Sequence, residues 1–383
     1  MRSRIRTRIE SVMTGPAAAP AISLAGFLSV LGTVYGGMTK LRAGAYGRGY
    51  LSVRRLPCRV VSVGNLVLGG AGKTPMTIYL AQQLQSMGFR TAVVSRGYGG
   101  RAERTGGIVS NGDRLLMGSA DAGDEPYMMA RILRGVPVLV GRDRYLAGKA
   151  AVGAFSPEVI ILDDAFQHLR LYRDIDLLLL DASNPFGNGH HFPRGMLREP
   201  ISGLSRADAV VMTRWPGDIP PVPSTGVPAC RKGSQRLPLF HTAHVPHIRR
   251  MDPGRTSRDI PTIQDAAADA SPAVVFAFSA IARNSDFVNS LNSAGYTVMG
   301  TRFFPDHHRY SEGEIRGIIE AAKGVNAGML ATTEKDIARI GAGIRWPIPL
   351  IVVGVTISFG CQAEAFHRFI LDKLGSSSPG EVT

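Results

Sequence analysis

The sequence predicts an α/β protein with a mostly parallel sheet, followed by a second, smaller α/β domain. Three observations predict it. A short β-branched run, a glycine-rich turn and a helical pattern follow one another over residues 60–84. A second apolar run at 159–162 ends in two aspartates, and after residue 272 four more strand-like runs alternate with helical patterns.

Length and charge limit what the chain can be. Its 383 residues suffice for two domains of ordinary size, and its formal charge of +14 favours acidic partners such as phosphorylated substrates or anionic lipid. Aromatic residues are not interleaved with arginines as in single-strand binders, so we expect no nucleic acid partner. Three widely spaced cysteines indicate neither a disulfide framework nor a zinc site, which favours a reducing compartment.

The N-terminal segment is apolar between basic flanks. Four arginines precede residue 9, residues 11–39 carry no charge, and five lysines or arginines follow by residue 55. A helix over Ala21–Tyr35 would be about 22 Å long, which is too short to span a bilayer. Its apolar face would comprise Leu24, Phe27, Leu28, Leu31 and Tyr35. This pattern favours a helix lying in the membrane interface. A secretory signal and a helix packed on the protein are the alternatives.

The run Val60–Val63 precedes a glycine-rich turn that ends in Lys73-Thr74. Backbone N–H groups at such a turn and the following helix N-terminus bind phosphate, and the lysine reaches the β- and γ-phosphates. The loop is a variant of the Walker A pattern, because Val67 replaces its first glycine. We therefore predict a P-loop NTPase-like domain whose nucleotide-binding residues are Gly69, Gly70, Ala71, Gly72, Lys73, Thr74 and Pro75.

A second acidic element completes a nucleotide site. Val159–Leu162 runs directly into Asp163 and Asp164. Parallel strands end at the same edge of a sheet, so these carboxylates and the Thr74 hydroxyl are predicted to hold Mg²⁺. Paired acids at the end of an apolar strand are costly without a cation nearby.

Other polar segments are ambiguous when taken singly. Asp124 in Gly123–Pro126 could simply cap the helix that follows. His190 and His191 lack zinc-ligand partners and are expected to be solvated or to face substrate. Thr332 or Thr333 is expected to cap a helix after a strand of the second domain.

The predicted organisation has five parts. They are an N-terminal membrane-associated helix (1–40), a P-loop kinase domain (41–215) whose sheet closes with Ala209–Met212, a linker or crossover region (216–271), a second α/β domain (272–372) and a disordered tail (373–383).

Taken together, six segments resemble the tetraacyldisaccharide 4′-kinases of lipid A synthesis. They are GNLVLGGAGKTP (64–75), SRGYGG (95–100), GDEP (123–126), LDDAFQHLRL (162–171), LREP (197–200) and FPDHHRY (304–310). The resemblance implies an enzyme at the cytoplasmic face of the bacterial inner membrane, and we expect a monomer. Such an enzyme transfers the γ-phosphate of ATP to the 4′-hydroxyl of an acylated glucosamine disaccharide 1-phosphate.

The resemblance also implies residue roles. Lys73 and Thr74 would hold the phosphates and Mg²⁺, with Asp163 and Asp164 acting at the metal. Asp124 would accept the proton of the sugar hydroxyl, assisted by His307 or by its rival His308. Tyr98 would face the substrate, and the further residues lining the cleft would be Arg144, Gln167, His168 and Glu199.

Two other functions fit part of the pattern. Gly69–Thr74 also matches the GGxGKT core of membrane-associated ATPase switches of the partitioning or metal-chaperone type, although these usually place a lysine where Leu68 stands. A nucleotide-sensing scaffold without catalysis is the second alternative.

Overall fold

A computed structural model describes residues 11–13, 15, 20, 23–219, 231–232, 235–256, 273–340 and 344–375. Several predicted segments lie outside the described residues: the arginines before residue 9, the start of the N-terminal helix at 21–22, parts of the linker region and the tail beyond residue 375.

The described helices are α1 Leu24–Gly47, α2 Lys73–Ser86, α3 Ser119–Ala122, α4 Asp124–Ile132, α5 Arg144–Phe155, α6 Asn284–Ser293, α7 Glu312–Gly324, α8 Glu334–Arg339 and α9 Ala363–Leu374. The strands are β1 Arg59–Asn65, β2 Thr91–Ser95, β3 Gly107–Ser110, β4 Val138–Val140, β5 Val159–Asp163, β6 Ile175–Asp181, β7 Ala209–Thr213, β8 Arg231–Lys232, β9 Gln235–Arg236, β10 Leu239–His241, β11 Ala243–Met251, β12 Val274–Ser279, β13 Thr297–Phe303, β14 Met329–Thr333 and β15 Leu350–Ser358.

The first sheet has eight strands in the order β10-β7-β6-β1-β5-β2-β4-β3. All neighbours pair in parallel except the edge strand β3, which runs antiparallel to β4. Strand β6 is buried along its whole length, because helices and loops cover both faces of the sheet. The predicted α/β fold with a mostly parallel sheet is confirmed.

The second sheet has the order β11-β15-β14-β12-β13. Only β11 is antiparallel to its neighbour. The four strands predicted after residue 272 are all present, and β11 comes from the region expected to be a linker. Its core surrounds Trp346 and Phe278 and is separate from the core of the first sheet.

Two features depart from the predicted domain boundaries. Ala209–Met212 does not close the first sheet, because β10, from the predicted linker, pairs outside β7. The last helix, α9, follows the second sheet in sequence but buries Phe366, Ile370 and Leu374 in the core of the first. A three-residue strand and a helix of ordinary amphipathic pattern contain no local signal of which sheet they join.

Helix α1 packs on the protein by a narrow stripe. Leu28, Gly32 and Gly36 are buried, and a Cβ at Gly36 would lie 2.6 Å from the ring of His191. The predicted apolar face is therefore divided, because Leu28 faces the protein whereas Phe27 is 61% exposed. The exposed side forms an apolar strip, which comprises Phe27, Val30, Leu31, Val34, Met38 and Leu41. No described helix is long and apolar enough to cross a membrane.

Candidate active site

The glycine-rich loop connects β1 to α2 in the manner that the sequence predicts. Gly72 precedes the first residue of α2 with φ of +79°, a conformation that favours glycine, and a Cβ there would lie 2.7 Å from His244 Nε2. Lys73 Nζ donates to Asn65 Oδ1 at 3.2 Å and to the Gly69 carbonyl at 3.3 Å. The loop thus folds around its own lysine at the N-terminus of α2.

The pairing of β1 with β5 brings the two acidic residues to this loop. Val63 is opposite Asp163 in the parallel register, so Asp163 lies at the same sheet edge as the loop. Its carboxylate is buried and accepts hydrogen bonds from Thr77 Oγ1 at 3.2 Å and Ser95 Oγ at 3.1 Å. Burial, reinforced by the negative charges of Glu125 and Asp164, raises the pKa of Asp163 to about 6. A carboxylate in this setting favours a cation beside it.

Asp164 is held differently from its neighbour. Its φ is +49°, and both carboxylate oxygens accept from Arg198 Nη1, at 2.8 and 3.0 Å. Lys73 Nζ is 3.6 Å away. Burial raises the pKa of Asp164, but the two cations outweigh burial and leave the pKa below its ordinary value. Arg198 lies in the LREP segment and was not predicted as a site residue. It reaches Asp164 because Arg198 N donates to the Leu66 carbonyl at the start of the loop.

Arg144 and Gln167, two of the predicted cleft residues, form hydrogen bonds with the backbone near Asp163 and Asp164. Arg144 Nη2 donates to the carbonyl oxygens of Asp163 and Asp164, at 3.5 and 3.4 Å, and the arginine is buried. Gln167 Nε2 donates to the Asn65 carbonyl at 2.8 Å, and its Oε1 accepts from Arg198 at 3.4 Å. Both residues fix the backbone around the acidic pair.

The other two lie apart from this group. Glu199 is buried and pairs with Arg206 at 2.7 Å, where it joins the packing beside Gly203. His168 lines an open cavity together with Arg142 and Arg170. His191, expected to be solvated or to face substrate, instead packs against Gly36 of α1.

Asp124 meets residues of the second α/β unit. It begins α4 without capping it, since Gly123 is the N-cap and no side chain caps the helix. Its Oδ2 accepts from Arg339 Nε at 2.8 Å and lies 3.4 Å from His307 Nδ1. Burial raises the pKa of Asp124, whereas hydrogen bonds from His307 and Arg339 lower it, and the net pKa lies below the ordinary value. The residue is therefore ionised at neutral pH.

The two neighbouring histidines take separate positions. His307, with φ of +64°, faces Asp124 and lies 6.3 Å from the ring of Tyr98 between centroids. His308 Nε2 instead contacts Glu314 at 3.0 Å, next to the capping box of α7. Geometry thus brings His307, and not His308, to the GDEP and SRGYGG segments.

Several charged residues that join the two units were not predicted as site residues. Lys335 Nζ donates to Glu125 Oε1 at 2.8 Å, and its positive charge lowers the pKa of Glu125 to about 2. Arg283 donates to Asp181 at 2.7 Å. Thr333 caps α8, as one of the two predicted alternatives, but nothing in the sequence indicated that Lys335 would point across the cleft.

The donor set fits Mg²⁺ bound together with a triphosphate. Among the described residues, no group of three or more histidine, cysteine or acidic side chains is arranged to hold a metal ion alone. Mg²⁺ in phosphoryl-transfer sites usually takes one or two carboxylates, substrate phosphates and water. The buried carboxylate of Asp163 and the hydroxyl of Thr74 at the start of α2 are donors of this kind.

Comparison with known proteins gives consistent matches. The family model described as LpxK, tetraacyldisaccharide-1-P 4′-kinase, matches residues 24–375. A tetraacyldisaccharide 4′-kinase of Desulfatibacillum aliphaticivorans is 39% identical over 374 residues, covering 97% of this chain and 99% of the relative. One from Geobacter metallireducens is 41% identical and covers 82% and 88% of the two chains. The crystal structure of Aquifex aeolicus LpxK in complex with ATP superposes with a TM-score of 0.71 at 30% identity, covering 92% of this chain and all of that one.

Proposed function

The chain belongs to the tetraacyldisaccharide-1-P 4′-kinase family, and we propose that it transfers the γ-phosphate of ATP to the 4′-hydroxyl of a tetraacyl glucosamine disaccharide 1-phosphate. The observation that carries this proposal is the meeting of three groups at one sheet edge. These are the loop around Lys73, the buried carboxylate of Asp163 and the Asp124–His307 pair from the two α/β units.

Lys73 and the N-terminus of α2 are suited to the triphosphate. Burial lowers the pKa of Lys73, and the charge of Asp164 opposes that shift. The ammonium group is held by the Asn65 side chain at the end of β1 and by the Gly69 carbonyl, so little reorganisation is needed when phosphate oxygens arrive. Thr74 and Asp163 would hold Mg²⁺, which neutralises charge on the phosphates.

Asp124 would accept the proton of the sugar hydroxyl. In phosphoryl transfer the attacking oxygen loses its proton late, so a carboxylate of low pKa is adequate when it is well positioned. His307 and Arg339 fix its orientation from the second unit. The base and the phosphate site lie on the first unit, whereas His307 and Arg339 come from the second. We therefore propose that closure of the cleft brings these two residues to Asp124 and excludes water.

Helix α1 would bring the enzyme to its lipid substrate. Its exposed apolar strip lies outside the protein core, and Arg42 and further basic residues follow along the helix and its end. We place this strip in the interface of the bacterial inner membrane at its cytoplasmic face, where basic residues meet anionic headgroups. The acyl chains of the substrate would enter the site from there.

The test is incubation of the purified protein with γ-labelled ATP, Mg²⁺ and the tetraacyl disaccharide 1-phosphate. We expect label in the lipid, and expect Asp124→Asn to lower kcat by about 10²- to 10⁴-fold while ATP affinity is kept. Release of labelled inorganic phosphate without lipid labelling would instead identify an ATPase switch. Unchanged turnover in Asp124→Asn would contradict the assignment of the base.

A further inference from the structure

One segment between β6 and β7, residues 190–198, contacts both helix α1 and the start of the glycine-rich loop. Of this segment, the proposed function uses only Arg198, which binds Asp164. Of α1, it uses only the side that faces away from the protein. The 190–198 segment therefore connects α1 to the nucleotide site through contacts that have no role so far.

The 190–198 segment pairs with the first residues of the glycine-rich loop through the backbone. Arg198 N donates to the Leu66 carbonyl, and Leu68 N donates to the Met196 carbonyl, both at 2.7 Å. The residues between these pairs form an antiparallel bridge and are buried. A displacement of the segment would therefore displace the loop, and with it the side chain of Arg198 at the acidic pair.

Helix α1 reaches the same segment at two glycines. A Cβ at Gly32 would lie 2.8 Å from the His191 carbonyl oxygen, and a Cβ at Gly36 would lie 2.6 Å from the His191 ring. Such a close approach requires glycine. The His191 carbonyl also accepts from Arg194 N and Gly195 N, each at 2.9 Å, which fixes the turn of the segment. At Gly32 the helix therefore lies directly against the backbone of the segment, with no side chain between them to absorb a shift.

Two side-chain contacts reinforce this packing. The rings of Tyr35 and Phe192 meet edge to face, with their centroids 6.1 Å apart. Arg194 is buried, and its Nη1 donates to the carbonyl of Val12, upstream of α1, at 2.8 Å. Arginine is seldom fully buried unless its donors are used. The N-terminal part of the chain is therefore held to the 190–198 segment both at α1 and ahead of it.

The contact with the segment and the exposed apolar strip lie on different sides of α1. The buried residues of the helix are Leu28, Gly32 and Gly36, here called the glycine face. They are spaced by four positions, which places them on one side of a helix. The residues of the exposed strip are between 42% and 76% exposed. A substitution can therefore change one side of α1 without changing the other.

We propose that the glycine face of α1 positions the nucleotide site: it seats the 190–198 segment, which holds Arg198 on Asp164 and fixes the start of the glycine-rich loop. Gly36 and His191 are then positioning residues, which act through Arg198 and not on the nucleotide itself. The inference rests on the proposed function in so far as Mg²⁺ and ATP bind at the glycine-rich loop and the acidic pair. If the segment shifts, the carboxylate of Asp164 loses its guanidinium partner, and its charge then opposes the phosphates of the nucleotide.

The test measures the binding of ADP with Mg²⁺ to the full-length protein in neutral detergent micelles, by isothermal titration calorimetry and without lipid substrate. Gly36→Ala adds a methyl group that collides with the His191 ring, and we expect it to raise the Kd of Mg²⁺–ADP about 3- to 30-fold. Gly37→Ala is the matched control, because it makes the same change at the next residue, where a Cβ would have no atom within 4 Å. This control should bind Mg²⁺–ADP as the wild type does.

A double variant tests whether the effect passes through His191. Gly36→Ala/His191→Ala removes the ring with which the new methyl group collides, so the Kd of Mg²⁺–ADP should return most of the way to the wild-type value. A variant of the exposed strip, Phe27→Gln/Val34→Gln/Leu41→Gln, leaves the glycine face intact. Its affinity for Mg²⁺–ADP should equal that of the wild type.

If Gly36→Ala binds Mg²⁺–ADP as tightly as Gly37→Ala does, or if the double variant binds no better than Gly36→Ala, the inference is overturned. An equal loss of affinity in the strip variant would also overturn it, because any disturbance of α1 would then weaken binding. These measurements need no lipid acceptor. A wild type that binds Mg²⁺–ADP but phosphorylates no lipid would therefore contradict the proposed function and leave this inference in place, whereas a wild type that does not bind Mg²⁺–ADP would contradict both.

Discussion

At the residue scale, the position of His307 leads to a prediction that His308 does not share. Replacing His307 with Ala removes a hydrogen bond that lowers the pKa of Asp124, so that pKa should rise. We expect kcat to fall about 10- to 100-fold and the acidic limb of the kcat/KM profile to move to higher pH. The measurement is the pH dependence of lipid phosphorylation.

His308→Ala is the matched control, because this ring contacts Glu314 and lies away from Asp124. It should leave kcat and the pH profile close to those of the wild type. An equal fall in kcat in the two variants would show that both histidines only stabilise the segment and that His307 has no specific effect on Asp124.

The two adjacent aspartates should affect stability in opposite directions. Burial raises the pKa of Asp163 to about 6 from an ordinary value of 3.8, so between these pH values the folded state binds more protons than the unfolded state. Stability therefore falls as pH rises through this window. In protein free of nucleotide and Mg²⁺, Asp163→Asn should raise the free energy of unfolding at pH 7.5 by roughly 1–3 kcal/mol. The gain should vanish near pH 4.

Asp164→Asn provides the opposite case. The pKa of Asp164 is depressed by Lys73 and Arg198, so its ion pairs stabilise the fold at neutral pH and are lost on acidification. This variant should unfold more readily than the wild type at pH 7.5. Urea unfolding at a series of pH values measures both. Destabilisation by Asp163→Asn at pH 7.5 would show that the ionised Asp163 carboxylate does not destabilise the fold, which would contradict the raised pKa.

The sequence predicts candidate site residues where their signal is local, and does not predict the residues whose contacts depend on packing. Gly72, Lys73 and Asp163 stand at strand ends and in a glycine-rich turn, which are patterns readable along the chain. Arg198 and Lys335 meet their acids only through the fold, at separations of 34 and 210 residues. Pairing across such distances has no signature in one sequence.

At the scale of elements, α1 carries a separate prediction. Its exposed strip includes Phe27, Val34 and Leu41, which are 61%, 56% and 76% exposed. Replacing all three with Gln removes apolar surface worth about 1.5–3 kcal/mol per side chain when it is buried in lipid. Binding to vesicles that contain phosphatidylglycerol should fall at least about 100-fold. Co-sedimentation is the measurement.

Leu115→Gln/Leu116→Gln serves as control, since these side chains are also exposed but lie in the loop after β3. Their replacement should leave vesicle binding unchanged. If the α1 variant sediments with vesicles like the wild type, the strip does not provide the membrane contact.

Most long apolar strands were predictable as elements, whereas their place in a sheet was not. The apolar runs of β1, β5 and β6 are recognisable because both faces of a parallel sheet are buried. Strand β10 has only three residues and joins the first sheet because Thr242 and its neighbours are tied to β7. The predicted domain boundary at residue 215 therefore missed a strand that belongs to the first sheet.

At the scale of the whole molecule, the chain passes between the two sheets at two places that are joined to each other. One lies between β10 and β11, and the other between β15 and α9. His241 N, at the first, donates to Gln362 Oε1, at the second, at 2.9 Å. If the cleft closes as proposed, the two units would rotate about this double connection, and the ion pairs across the cleft would set how far it closes.

The last prediction concerns the ion pair that bridges the cleft between Glu125 and Lys335. Lys335→Met leaves Glu125 without its strongest cationic partner, and the negative charge of Glu125 already acts on Asp163 beside the phosphate loop. We expect weaker ATP binding and a kcat lowered about 10-fold or more, because the variant leaves the Glu125 carboxylate charged and without its partner. Steady-state kinetics with varied ATP measures both effects.

A second variant tests whether the unpaired charge of Glu125 causes the loss of ATP affinity. Glu125→Gln/Lys335→Met removes both charges, so ATP affinity should recover in part, while kcat stays low if the contact is needed for closure. Lys323→Met, which breaks an exposed pair with Glu320 within α7, should change neither value. Full recovery of kcat in the double variant would mean that the two units reach the reacting geometry without this bridge, and that closure depends on the contacts of Asp124 with Arg339 and His307 alone.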